Sequence, residues 1–99
     1  MKLRVLDAAE WEISDAFDYY EAQSEGLGGR MTREIRDVLA WILDFPEAHP
    51  IFDPIHRKRN LKKFPYGIVF RLEGEDVLVV ACFHLRSDPR KWKELLKSR

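Results

Sequence analysis

The sequence has 99 residues, of which 45% are hydrophobic and 34% charged, so it excludes a disordered chain and predicts one folded domain, residues 1–99. No apolar stretch reaches the ~18 residues of a membrane-spanning helix, and the acids that begin at Asp7 exclude a signal peptide. The single cysteine, Cys82, excludes an internal disulfide, as is typical of a reducing compartment. We therefore expect a cytoplasmic protein with no membrane partner.

The formal net charge of zero conceals an uneven distribution. Residues 1–49 contain eleven acids and five Lys or Arg, whereas residues 50–99 contain six acids and twelve Lys or Arg. The segment 56–71, HRKRNLKKFPYGIVFR, contains six Lys or Arg and no acid. This asymmetry is typical of a protein that binds a polyanion or an acidic protein. The alternative is a small domain whose two solvated faces carry opposite signs.

The first half of the sequence predicts one short strand and two helices. The strand is KLRVL, residues 2–6, and a helix follows from Asp7 because apolar residues recur at steps of three and four. The glycine-rich SEGLGG, residues 24–29, ends this helix, and Pro46 ends the next one. Such a short turn predicts an antiparallel helical hairpin. The two apolar stripes are Ala9, Ile13, Ala16, Phe17 and Tyr20, and then Met31, Ile35, Val38, Ile42 and Phe45.

The second half predicts three strands and a final short helix. The strands are RNLKKF (59–64), YGIVFRL (66–72) and VLVVACFHLR (77–86), and the almost continuous apolar run of the last one predicts a central strand. Asp88 and Pro89 are typical of a helix start. We therefore expect an α+β fold with the order β-α-α-β-β-β-α, in which the helical hairpin packs on one face of a small antiparallel sheet.

Two long segments carry a family resemblance. YYEAQSEGLGGRM (19–31) and RNLKKFPYGIVFRLEGEDVLVVACFHLRSDPRKW (59–92), in this order and spacing, resemble the RelE/ParE toxin superfamily, and within it the ParE-like "plasmid stabilisation" branch. The resemblance covers roughly residues 8–92 and implies the toxin of a type II toxin–antitoxin system, neutralised by a cognate antitoxin. RelE-like members cut messenger RNA on the ribosome without a metal, whereas ParE-like members poison DNA gyrase.

Two positions favour the ParE-like branch. Gly67 stands where RelE-like enzymes carry an arginine, and Ser87 stands roughly where a further arginine is expected. A ribonuclease without a metal needs such cations to stabilise the charge of its transition state. We therefore expect a toxin that binds and inhibits a target such as DNA gyrase. A RelE-like, ribosome-dependent endoribonuclease that acts on messenger RNA and a non-toxic binding module on the same fold are the alternatives.

The resemblance and the residue types together nominate two sets of functional side chains. If the protein is a ribonuclease, the catalytic candidates are Arg57, Lys58, Tyr66, His84 and Arg86. The candidates for binding the target or the antitoxin are Arg57, Arg59, Lys62, Lys63, Arg71, Arg86, Arg90 and Trp92.

Each candidate also has a purely structural interpretation. In this interpretation the cations keep an exposed edge strand soluble. Tyr66 packs in the core, His84 is a hydrogen-bonded structural residue, and Trp92 docks the last helix on the sheet. Strand alternation places Arg57 and Arg59 on one face and Lys58 on the other, so the basic run does not form a single patch. We expect neither a cofactor nor a metal, because the three histidines lack ligand spacing.

Overall fold

A computed structural model describes residues 1–99 and confirms the predicted fold class and element order. None of its helices is both long and apolar enough to cross a bilayer. A single 3₁₀ turn, Pro46–Ala48, follows the second helix. The elements are β1 (Leu3–Val5), α1 (Asp7–Gln23), α2 (Leu27–Asp44), β2 (Arg57–Asn60), β3 (Tyr66–Glu73), β4 (Asp76–His84) and α3 (Pro89–Leu96).

The four strands form one sheet in the order β1-β4-β3-β2. Strand β3 is antiparallel to both of its neighbours, β2 and β4, as predicted, but β1 runs parallel to β4, with Leu3 opposite Val77. The expectation of a wholly antiparallel sheet is therefore wrong for β1. Parallel neighbours need a long crossover, and the helical hairpin after β1 begins that connection. Residue periodicity predicts a strand but carries no information on its direction.

Strand β2 is shorter and lies earlier than the predicted 59–64. It covers Arg57–Asn60, and the chain then turns before β3 begins at Tyr66. The backbone N–H groups of Lys62 and Lys63 donate to the Glu34 carboxylate on α2 instead of joining the sheet. The Glu34 side chain of α2 thus takes the place of the β-sheet hydrogen bonds that would extend β2 to these residues.

Two glycines make the helical hairpin compact. Gly26 adopts the left-handed conformation (φ 86°), which joins α1 to α2 with almost no loop. Gly28 lies against Phe17 of α1, where an added Cβ would come within 2.8 Å of both the ring and the backbone carbonyl oxygen. The hairpin packs its apolar stripes against one face of the sheet, around Ile68, Phe70 and Val79.

Strand β4 is buried on both faces over seven consecutive residues, Val77–Phe83. One face meets the helical hairpin and the other meets α3. A β-bulge lies in this strand: Val79 and Ala81 pair with consecutive residues of β3, so that Val80 is extra. The Trp92 ring stacks on Phe83 with centroids 4.9 Å apart and is 3% exposed. Helix α3 is therefore the cover of the second face.

Asp88 caps α3, as the sequence predicts. Its side chain accepts the Arg90 N–H at 2.9 Å, and Pro89 is the first helical residue.

An ion pair between Glu12 and Arg99 hydrogen-bonds the backbone of β4 where β1 does not pair with it. Strand β1 reaches only to Val79, so the edge of β4 beyond it has no strand neighbour. Glu12 of α1 accepts the Cys82 N–H at 3.0 Å, and Arg99 donates to the Val80 carbonyl at 3.0 Å. The Arg99 Nη1 and Nη2 groups also donate to the two oxygens of the Glu12 carboxylate, each at 3.0 Å. This pair ties α1, β4 and the chain after α3 together.

Replacing Gly28 with alanine should destabilise the protein, because the new methyl group collides with a backbone carbonyl that cannot rotate away. We expect the free energy of unfolding to fall by about 1–3 kcal/mol. Gly29→Ala is the matched control, since nothing lies within 4 Å of its Cβ position, and it should be neutral or stabilising. Urea unfolding measures both. Equal stability of the two variants would contradict the close packing at Gly28.

Truncating Trp92 should loosen α3. We expect Trp92→Ala to lower the free energy of unfolding by about 3 kcal/mol, as is usual for a buried aromatic ring. Leu95→Ala is the matched control on the same helix, because Leu95 is 44% exposed, and it should cost far less. Denaturant unfolding followed by tryptophan fluorescence and circular dichroism compares them. An unchanged midpoint for Trp92→Ala would show that α3 is not docked in solution.

Candidate functional site

A cleft opens where β3 begins and β4 ends. It encloses about 370 Å³ between α1 and the strand ends. We call it the strand-end cleft; its lining residues are Asp15, Tyr19, Tyr20, Gln23, Pro65, Tyr66, His84 and Arg86. The cleft brings together three of the residues that the sequence nominated for catalysis, namely Tyr66, His84 and Arg86.

The sheet register places Tyr66 and His84 side by side. They are opposite each other in the antiparallel β3–β4 pair, and their rings meet edge to face with centroids 5.0 Å apart. The backbone N–H of Arg86 donates to His84 Nδ1 at 3.0 Å. This bond makes Nδ1 an acceptor, so that neutral His84 carries its proton on Nε2. In this tautomer the Nε2–H group of His84 is available as a hydrogen-bond donor.

Two of the three tyrosines that line the cleft, Tyr20 and Tyr66, are also donors. Burial, followed by the neighbouring Tyr20 hydroxyl, raises the pKa of Tyr66 above its usual 10.0. Burial and then Tyr19 raise the pKa of Tyr20, against the opposing influence of Arg86. Both phenols therefore keep their protons at neutral pH. The cleft supplies several hydrogen-bond donors and one carboxylate, that of Asp15.

The cleft contains only one cation, Arg86. Arg57 and Lys58, the other nominated catalytic cations, lie elsewhere. The Arg57 guanidinium donates to the His49 carbonyl at 2.8 Å, on the side of the sheet that faces the helical hairpin. The Lys58 ammonium lies 4.7 Å from the centre of the Trp92 ring under α3, where burial lowers its pKa. The five nominated catalytic residues thus do not form one site.

The space beside Gly67 is already filled. A Cβ at this position would lie 2.9 Å from the Asn60 Oδ1 atom and 3.1 Å from the Lys58 Cδ atom. An arginine at position 67, as the RelE-like pattern has it, would have to displace both side chains. Ser87 lies outside the strand-end cleft, in a neighbouring cleft between α1 and α3.

Arg59, a nominated binding residue, anchors the loop between α2 and β2. Its guanidinium lies 4.4 Å from the centre of the Trp41 ring, and its Nε–H donates to His49 Nδ1 at 2.9 Å. Burial first, and then the Arg59 charge, lower the pKa of His49 below its usual 6.5. Since the opposite face of the sheet holds Lys58, the predicted division of the basic run between two faces is confirmed.

Arg71, another nominated binding residue, is engaged within the fold. Its guanidinium donates to Glu73 at 3.1 Å and to the Arg99 carbonyl at 3.0 Å, and it contacts His56 Nε2 at 3.2 Å. The other ring nitrogen of His56 lies 2.9 Å from the Asp53 carboxylate. Arg71 is 15% exposed, so little of it is left for a partner.

The remaining nominated binding residues divide by exposure. Lys62, Lys63, Arg86 and Arg90 are exposed. Trp92 is buried beneath α3, so its ring is not accessible to a partner while α3 covers the sheet. Its large ring instead fills the space above Phe83.

A second concave surface lies beside α2, and the sequence analysis missed half of it. It encloses about 860 Å³ between α2, the end of α1 and residues 62–65. We call it the basic groove. Its exposed rim is Arg30, Arg33, Lys62 and Lys63, and its floor is Tyr20, Leu27, Phe64 and Pro65. Arg30 and Arg33 lie in the acidic half of the sequence, but their spacing of three on a helix was a usable signal.

Neither concave surface offers metal-binding or thiol chemistry. No group of three or more His, Cys, Asp or Glu side chains is arranged to hold a metal ion. Cys82 is buried, and burial together with Glu12 raises the pKa of its thiol to about 12, so the thiolate that would act as a nucleophile is not formed at neutral pH.

Comparison of whole structures finds proteins similar to this chain, whereas two sequence-based searches do not. Neither a scan against protein-family models nor a search of curated proteins finds a match. The chromosomal ParDE toxin–antitoxin system from P. aeruginosa superposes with a TM-score of 0.63 at 15% identity, over 87% of this chain and 97% of that one. The isolated RelE toxin of E. coli superposes with a TM-score of 0.64 at 20% identity, over 98% of this chain and 96% of that one.

The chain has the RelE/ParE fold. The motif resemblance in the two long segments, 19–31 and 59–92, is thereby confirmed for the architecture.

The neutral His49 in the RelE/ParE fold makes stability depend on pH. Its pKa is lowered on folding, so its contribution is complete above the unfolded value near 6.5 and is lost as the pH falls through the folded value. The free energy of unfolding should therefore decrease between about pH 7.5 and about pH 5.5. Urea unfolding across this range measures it.

Two variants assign this pH dependence to His49. His49→Asn keeps an acceptor for Arg59 but does not titrate, and it should flatten the dependence. Trp41→Phe disturbs the same cluster but keeps the imidazole, and it should retain the slope. A wild-type slope in His49→Asn would contradict the assignment.

Proposed function

We propose that this protein is the toxin of a type II toxin–antitoxin pair and that it acts in the cytoplasm by binding and inhibiting a target such as DNA gyrase. The RelE/ParE fold supports the toxin role, since both compared structures are named for toxins or toxin–antitoxin systems. The strand-end cleft supports inhibition by binding over RNA cleavage.

The observation that carries this choice is the single cation of the strand-end cleft. Cleavage of RNA without a metal builds negative charge on the phosphate, and positioned cations must stabilise it. Arg86 is the one Lys or Arg among the residues that line the cleft. Arg57, Lys58 and Arg71 make contacts within the fold, and position 67 is occupied by glycine.

The exposed turn after β4 is the proposed contact with the target. Arg86 is exposed at the edge of the cleft, and Arg90 is 90% exposed at the start of α3. The Asp88 carboxylate accepts from the Arg90 guanidinium at 2.9 Å. A charged, exposed turn at the end of a sheet suits recognition of an acidic protein surface.

RNA cleavage is the second candidate, and the meeting of Tyr66, His84 and Arg86 favours it. A phenol that keeps its proton and an imidazole that donates from Nε2 are suitable general acids. The base and the additional cations would then have to come from the ribosome or from the substrate itself.

Induction of the wild-type protein in bacteria tests the proposal. Growth, messenger RNA ends and plasmid supercoiling are recorded minutes after induction. We expect growth arrest with intact messages and a change of supercoiling. Arg86→Ala with Arg90→Ala should relieve the arrest, whereas Arg36→Ala, which removes an exposed arginine on α2 away from the turn, should not.

Two results would overturn the proposal. Message ends phased to codons, and absent when ribosomes are blocked, would establish the endoribonuclease. Normal growth with folded protein at a high level, and without a co-expressed antitoxin, would establish a non-toxic binding module.

A further inference from the structure

Helix α1 presents an acidic surface to solvent. Its residues, Asp7–Gln23, include six acids and no Lys, Arg or His. Two of the acids are used within the fold: Glu12 pairs with Arg99, and Glu21 accepts backbone N–H groups of the turn after the helix. The other four are exposed and take part in no ion pair, and they are Asp7, Glu10, Asp15 and Asp18. Helix α1 therefore carries negative charge that nothing in the chain neutralises.

Helix α3 and the residue that follows it carry the opposite charge. They contain one acid, Glu94, and four exposed cations, which are Arg90, Lys91, Lys93 and Lys97. Two of these cations pair with acids of the same turn and helix. Lys91 and Lys93 take part in no ion pair. The outer surface of α3 thus has an excess of positive charge.

The two helices lie side by side, on either side of a cleft of about 310 Å³. Asp15 of α1 and Lys91 of α3 both line this cleft but do not pair with each other. Large apolar side chains accompany the charges, since Trp11 is 69% exposed and Leu95 44%. We call this surface the α1–α3 face; it consists of Trp11, Asp15 and Asp18 of α1 and Arg90, Lys91 and Leu95 of α3.

A second copy of the chain offers the surface that complements this face. A two-fold contact brings the same surface of two copies together, so that surface must complement itself. The α1–α3 face meets this condition, because a half-turn about an axis perpendicular to it exchanges the acidic helix and the basic helix. Trp11 and Leu95 then lie among the opposed charges. Tryptophan is one of the side chains that contribute most to protein interfaces.

We propose that the protein forms a two-fold dimer through the α1–α3 face, in which α1 of each copy lies on α3 of the other. Asp15 and Asp18 of one copy face Arg90 and Lys91 of its partner. The contact is closed, so association ends at two copies. The dimer depends on neither toxicity nor an antitoxin, so it stands independently of the proposed function.

Sedimentation velocity of the full chain, at concentrations up to about 0.5 mM, measures the association. We expect a monomer–dimer equilibrium. Added salt should shift this equilibrium toward the monomer, because the charges on the α1–α3 face are exposed and salt screens exposed charges.

Charge reversal locates the contact. Asp15→Lys with Asp18→Lys reverses the charge on the α1 side of the face. Arg90→Glu with Lys91→Glu reverses it on the α3 side, where acids also suit the first turn of a helix. Each double variant alone should dimerise at least about tenfold more weakly than the wild type, because like charges then oppose each other across the contact. Circular dichroism establishes that each variant is folded.

A mixture of the two double variants is the sharpest test. In the mixed pair, the reversed α1 lies on the reversed α3, and the unchanged α3 lies on the unchanged α1. Opposite charges therefore meet again at both ends of the contact. We expect a mixed dimer with nearly the affinity of the wild type.

The matched control is Glu10→Lys with Asp44→Lys, which changes the net charge as much as the α1 variant does. Both acids are exposed. Glu10 lies about 100° around α1 from Trp11, and Asp44 is the last residue of α2, so neither belongs to the α1–α3 face. This variant should dimerise like the wild type.

Five results would overturn the inference. They are a wild-type protein that stays monomeric at every concentration, assemblies that keep growing beyond two copies, wild-type affinity in either double variant, no pairing of the mixed double variants, and equal weakening by the control.

Discussion

The complete burial of β4 is the constraint on which the rest of the structure depends. Seven consecutive residues of this strand are buried, so both of its faces need a cover. The helical hairpin covers one face, and α3 covers the other through Trp92 and Leu96. The short β1 leaves part of the strand's edge open, and Glu12 with Arg99 satisfies the backbone groups there. Each neighbouring element therefore has its place because of β4.

The same constraint determines what the cations do. Arg57 and Arg59 hold the loop before β2 by hydrogen bonds to the His49 carbonyl and the His49 ring. Lys58 lies against Trp92, and Arg71 joins β3 to the end of the chain. The segment that looks most like a polyanion site in the sequence is thus largely structural. Of the nominated cations, Lys62 and Lys63 stay exposed beside the basic groove, and Arg86 and Arg90 stay exposed on the turn after β4.

Local pattern predicted the helices, the central strand and the cap of α3, because each depends on neighbours in sequence. It did not predict the parallel pairing of β1, whose direction is fixed by the path of the helical hairpin. It also missed Glu34, which takes over the N–H groups of Lys62 and Lys63 and shortens β2. In the candidate site, Tyr66 and His84 lie side by side because of the register between β3 and β4, which the sequence pattern does not give. The burial of Trp92 and the engagement of Arg71 depend on contacts between residues distant in sequence, which composition and spacing do not carry.

The proposed function requires that the protein act by binding and not by acid–base chemistry in the strand-end cleft. Its most direct test is the growth of bacteria that express the double variant Tyr66→Phe, His84→Gln. These changes remove the phenol hydroxyl and the imidazole while nearly preserving the shape of the cleft. We expect growth arrest equal to that of the wild type. Normal growth with the variant folded and equally abundant would contradict the proposed function.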